Sequence, residues 1–115
     1  MNEYLGSLVN LRIDGRIAAM RAALKDRRDP VCADETLQYL LFTGRCLRPS
    51  HILEIGTAEG LSGAAMLLEE EKARLTTIEI DEERYRRARQ NFASFGLEGR
   101  VRCIPGDAAD RKSVV

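Results

Sequence analysis

The 115-residue chain lacks a charge surplus of either sign: Lys and Arg together number 18, and so do Asp and Glu. That absence removes the simplest argument for nucleic-acid binding, which begins from a basic excess. No apolar run approaches the roughly 20 residues that carry a helix across a bilayer, so no membrane span is expected. The opening "MNEYLGSLVNLRIDGR" lacks a basic start followed by an apolar block, and no signal peptide is expected. Cysteine is sparse. Cys32, Cys46 and Cys103 are odd in number and widely spaced, fitting neither a disulfide framework nor a CxxC metal site. They read as small buried hydrophobes in a reduced, cytoplasmic setting. Internal repeats and low-complexity linkers are also missing.

What is present describes one modest globular domain, with 44% hydrophobic and 31% charged residues. "DGRIAAMRAALKDRRD" sets Ile17, Met20 and Leu24 at helical spacing, with basic residues near its end and Pro30 as its breaker. Asp34 can cap a second helix whose Leu37, Leu40, Leu41, Gly44 and Leu47 form an apolar stripe ending before Pro49. "HILEIG" then reads as a short buried strand. A helix after Gly60 should turn Leu61, Ala64, Ala65 and Leu68 inward. "RLTTIEI" is a second strand, and Asp81 caps a helix striped by Tyr85, Ala88, Phe92 and Phe95 and stopped by Gly96. "RVRCIP" is a third strand, followed by the polar "GDAAD".

Strand, helix, strand, helix, strand predicts an α/β fold with parallel strands and right-handed crossovers. In a doubly wound sheet of order 3-2-1-4-5, strand 1 is central and has a neighbour on each side. Nothing after "GDAADRKSVV" supplies the second neighbour. The expectation is a truncated chain, the N-terminal half of a Rossmann-like fold. Residues 1–48 would form a helical cap segment and residues 49–115 a half-domain with strands 1–3. Strand 1 would be an exposed apolar edge.

Ligands of such sheets sit beyond the carboxyl ends of the strands. In "ILEIGTAEGLSG", Gly56 and Gly60 would let the backbone turn sharply and approach a ligand closely. The following helix offers free N–H groups to an anionic group, and Ser62 a hydroxyl. Glu79, ending strand 2 some 20 residues on, suits ribose hydroxyls. The dinucleotide fingerprint G-x-G-x-x-G fails, with alanine at 58 and leucine at 61, which disfavours an NAD-dependent oxidoreductase. Plainer readings stand beside these. Glu54 could satisfy local donors, Ser62 could be a helix cap, and "ERYRRARQ" a solvated helix face. His51, at the strand entrance, reads as a solvated residue.

The pattern E-x-G-x-x-x-G, with "TTIEID" and "GDAAD", resembles motif I and its partners in class I S-adenosylmethionine (SAM)-dependent methyltransferases. "ILEIGTAEGLS", "LTTIEIDEERYRRARQNFASFGLEGRV", "IPGDA", "EYLGSLV" and "DPVCADETLQYLL" are similar to the bacterial branch of the catechol O-methyltransferase-like family, including the tRNA 5-hydroxyuridine methyltransferases. The resemblance assigns Glu54, Gly56, Thr57, Ala58, Gly60 and Ser62 to the methionine end of SAM and Glu79 to its ribose. Asp107 and Ala108 fall beside the adenine, and Cys32 in a loop near the cofactor. Leu61, where the family commonly has tyrosine, and Glu59, an unusual charge in the turn, depart from the pattern.

By the same resemblance, the intact enzyme is a homodimer that methylates an activated hydroxyl, in a tRNA wobble 5-hydroxyuridine or a small phenol. It uses a divalent cation held after strands 4 and 5, so no catalytic or metal-binding residue is expected in this segment. A non-catalytic SAM-binding or interaction module is the reading from a different class.

Overall fold

Asp14 starts the first helix by accepting the N–H of Arg16 at 2.8 Å, and its own carbonyl accepts the N–H groups of Ile17 and Ala18. In the computed structural model, which describes residues 14–24 and 34–110, this helix, α1, spans Gly15–Leu24. Ile17 and Leu24 are buried, and Met20 packs beside them. Pro30 and Cys32 lie outside the described residues.

Helix α2, Asp34–Leu47, begins at the residue expected to cap it. Leu37 and Leu41 are buried, Leu40 and Gly44 half-buried. Leu47, expected in the stripe, is instead 71% exposed. It is the last helical residue, where the chain swings away through Arg48 (φ 46°) towards Pro49. Cys46 corrects another expectation: it is exposed, because it falls on the outward stripe of α2, whereas Cys103 is half-buried.

Three parallel strands follow in spatial order β1-β2-β3, with β1 His51–Ile55, β2 Arg74–Glu79 and β3 Val101–Pro105. Glu54 lies opposite Thr77, and Thr77 opposite Cys103. The expected buried strand at "HILEIG" is half right. Ile52 and Glu54 are half-buried, while Leu53 and Ile55 on the other face are 60% and 71% exposed. Among the described residues β1 pairs on one side only, so it is an apolar edge.

Helix α3, Leu61–Glu69, packs against β2 and against both α1 and α2. Burial on two sides explains why Leu67, not the expected Leu68, is fully buried with Leu61, Ala64 and Ala65. Helix α4, Glu82–Ser94, is capped by Asp81, which accepts the N–H of Arg84 at 2.9 Å. Ala88 and Phe92 are its buried residues, with Tyr85 and Phe95 half-buried. It ends at Gly96 (φ 71°), where Gly96 N–H bonds the Ala93 carbonyl and Leu97 N–H that of Phe92. That is a Schellman closure, sealed by buried Leu97.

A short 3-10 turn, Glu98–Arg100, then places the Arg100 guanidinium at the C-terminal end of α3. It donates to the carbonyls of Leu67, Glu70, Glu71 and Ala73 at 2.9–3.1 Å. Leu67 and Glu70 are among the carbonyls that the end of α3 leaves without intrahelical partners, and Glu71 and Ala73 belong to the loop that follows.

Candidate functional site

Parallel pairing brings the carboxyl ends of the three strands to one rim. The chain leaves β1 still bonded to β2, because the N–H groups of Gly56 and Thr57 both reach the Ile78 carbonyl, at 2.8 and 3.3 Å. Gly56 has φ 88°, and a Cβ there would project into open space, with nothing within 4 Å. Gly60 has φ 87°, and its Cβ would stand 3.1 Å from the ring of Phe92. The first glycine therefore opens the front of the turn, and the second seats its back on α4. Ala58 between them also takes a left-handed φ of 49°, a strained state for a residue with a Cβ.

Two acids hold the turn from below. The Glu54 carboxylate accepts the Ser62 hydroxyl at 2.5 Å and the Thr77 hydroxyl at 2.9 Å. Thr77 has a single hydroxyl hydrogen and gives it to Glu54, so at the 2.6 Å contact Thr57 must donate to Thr77. Burial pushes the Glu54 carboxyl above its ordinary value, partly offset by the Ser62 and Thr77 hydrogen bonds. Ser62 is thus engaged with Glu54 inside the first turn of α3. The residue at the cap position is Gly60, which makes no side-chain cap bond, so the helix-cap reading of Ser62 is overturned.

Glu79, only 5% exposed, accepts the N–H of Ala58 at 2.7 Å through Oε1 and that of Asp81 at 2.9 Å through Oε2. Each oxygen keeps a second lone pair for a further donor. The loop after β3 is drawn to the same rim by the bond from Gly106 N–H to the Glu79 carbonyl, 2.9 Å. Asp107 there is exposed and accepts the N–H of Ala109 at 2.9 Å; Ala108 is half-buried.

Glu54, Gly56, Thr57, Ala58, Gly60, Ser62, Glu79, Asp107 and Ala108 are therefore gathered at one end of the sheet. Cys32 lies outside the described residues. His51 sits at the opposite end, exposed and bonded to the Thr76 hydroxyl at 2.7 Å. Burial pushes the Cys103 thiol above its ordinary value, which keeps it from acting as a thiolate. Among the described residues, no group of three or more His, Cys, Asp or Glu stands ready to hold a metal, and no helix is long and apolar enough to cross a membrane.

Sequence reasoning missed Thr77, which links Glu54 to Thr57. It also missed Gly63, where a Cβ would lie 2.7 Å from Leu75 Cδ2 and 3.3 Å from Glu54 Oε1. The signal for Thr77 was the register opposite Glu54, which appears only once the strands are aligned. For Gly63 it was the run of small residues Gly63-Ala64-Ala65 in "LSGAA", which lets α3 approach the sheet.

Among the described residues, the charged side chains that the glycine turn and the ends of β1, β2 and β3 aim at the rim without a cation beside them, Glu54, Glu79 and Asp107, are acids. They oppose a pyrophosphate and suit a cofactor carrying positive charge next to a nucleoside. The open space before Gly56 leaves room for close approach, so the residues present fit SAM.

The architecture is that of the N-terminal part of the Rossmann-like methyltransferase fold. No family model matches the chain. Among solved structures, a caffeoyl-CoA O-methyltransferase-like protein from Staphylococcus aureus is similar at 30% identity and TM-score 0.85, over 99% of this chain and 54% of that one. The O-methyltransferase TomG of Streptomyces achromogenes, solved with SAM and involved in tomaymycin synthesis, is similar at 26% identity and TM-score 0.75, over 95% and 50%. The SAH-bound methyltransferase PaMTH1 of Podospora anserina shares the fold at 24% identity and TM-score 0.79, over 98% and 50%. The chain spans about half the length of these structures.

Proposed function

We propose that this chain carries the cofactor-binding half of a SAM-dependent O-methyltransferase. The observation that carries the reading is the set of acids Glu54, Glu79 and Asp107 at the strand ends around an open glycine turn, which favours a sulfonium cofactor over a dinucleotide. When bound, SAM supplies an electrophilic methyl group for an oxygen nucleophile. This chain's part is to bind and orient it. The turn and the Glu54–Ser62 pair would hold the methionine end, Glu79 the ribose through its remaining lone pairs, and Asp107 with Ala108 the adenine side. A divalent cation, supplied with its ligands by the rest of the protein, would ionise and position the acceptor hydroxyl.

For the acceptor we infer 5-hydroxyuridine in tRNA, supported by the sequence resemblance. The similarity to the S. aureus protein supports a small phenol as the second reading. A cytoplasmic setting belongs to the same proposal, and the exposed free thiol of Cys46 suits a reducing compartment.

Isothermal calorimetry with S-adenosylhomocysteine (SAH) and NADH tests the cofactor. SAH should bind more tightly, and tighter NADH binding would overturn the assignment. Methyl transfer to anticodon-loop RNA against a catechol, using the protein extended through its remaining strands, separates the two acceptors.

A further inference from the structure

We propose that Glu59 and Arg87 form a latch that holds the glycine turn in its ligand-ready shape from the α4 side. Glu59 is the odd charge in the turn, yet it is only 8% exposed. Its Oε2 lies 3.4 Å from Arg87 Nε, and its carbonyl accepts the side-chain N–H of Asn91 at 2.8 Å. Arg87 and Asn91 are four residues apart on α4 and so present one face. Phe92, next along the helix, closes on Gly60.

The preceding peptide is gripped from the other side, where Ala58 N–H is held by Glu79. Adjacent residues are thus fixed to opposite elements, Ala58 to β2 and Glu59 to α4. That opposed grip is what keeps Ala58 in a conformation its own Cβ disfavours. Loss of Arg87 would remove a cation 3.4 Å from a carboxylate that has little access to water, and would loosen the hold of α4 on Glu59 and its peptide. The turn would then spend less time in the shape that presents its N–H groups. The effect on cofactor affinity rests on the SAM reading above; the latch itself does not.

The test measures amide hydrogen exchange at Ala58, Glu59 and Gly60 by NMR in the ligand-free chain, beside SAH affinity. Arg87→Met should speed exchange at these amides about 10-fold, the order of one charged interaction. Amides of β2 such as Leu75 and Thr77 should be unchanged. SAH binding should weaken by a similar factor. Arg87→Lys should recover most of both effects, and Glu59→Gln should add little on top of Arg87→Met, since the two act as one unit. Unchanged exchange at the turn in a folded Arg87→Met chain, or acceleration spread evenly over the domain, would overturn the latch. Should Arg87→Met not fold, Glu59→Gln and Arg87→Lys carry the same exchange test. If the parent chain fails to bind SAH while the variant loosens the turn, the cofactor reading falls and the latch stands.

Discussion

The backbone N–H of Ala58 meets Oε1 of Glu79 at 2.7 Å, so the acid that ends β2 is also the clasp of the turn that follows β1. Its second oxygen holds the N–H of Asp81, the residue that caps α4. One carboxylate therefore ties two loops of the same rim together, and any ligand reaching it meets a group already fixed in place.

Glu79→Ala should weaken SAH binding by about 10-fold or more, since hydrogen bonds to a charged acceptor contribute about 1.5–3 kcal/mol. Glu79→Gln, which retains one acceptor oxygen, should fall between. Calorimetry beside circular dichroism checks this; a folded Glu79→Ala chain with the parent dissociation constant would move the ribose elsewhere.

The glycines should separate fold from binding. At Gly63 an added Cβ would stand 2.7 Å from Leu75 Cδ2, within a packed core where Leu75 is 1% exposed. Overpacking of about 1–3 kcal/mol should outweigh the roughly 1 kcal/mol gain in helix propensity, so Gly63→Ala should lower the urea midpoint. Gly56→Ala meets no atom and pays only for its left-handed φ, about 1 kcal/mol, but it fills the space before the turn. SAH affinity should suffer more there than stability. Parent-like SAH affinity in a folded Gly56→Ala chain would contradict the assignment of Gly56 to the ligand side.

Glu54 should make the protein less stable as pH rises. Burial raises its folded pKa above the ordinary 4.5, so the folded state holds the proton longer than the unfolded chain. Below 4.5 both states are protonated and the full contribution is present. It is lost as pH climbs through the window between the two values, then levels off. Glu54→Gln does not titrate, so its urea midpoint relative to the parent should improve across that window. Parallel pH profiles would show that the carboxyl is not destabilised by burial.

Arg100 stands at the far end of α3 from the site. Arg100→Met should lower stability by about 2–3 kcal/mol through the loss of its bonds to four carbonyls, and Arg100→Lys should rescue little, because a point ammonium lacks the planar fork. SAH binding in the folded fraction should be unaffected. Thermal melts and calorimetry together check both halves.

Much of this protein was legible residue by residue. Spacing alone located the three strands, the Asp81 cap and the Gly96 stop, because period, capping chemistry and positive φ are local properties. The glycine turn and Glu79 were legible for the same reason: a strand end, two glycines and a downstream acid follow one another at fixed intervals along the chain.

Only the tertiary structure decided which side of each element faces inward and what each polar group touches. Leu67 replaced Leu68 because α3 is covered from two directions, and Leu53 and Ile55 stayed exposed because they lie on the face of β1 turned away from α3. Thr77 joined the site through register with Glu54, and Arg87 through the docking of α4 behind the turn. Sequence intervals fix neighbours along a strand or helix. Contacts between residues 23 or 28 positions apart, as in those two pairs, depend on how the elements pack, and the chain does not write that packing into any single stretch.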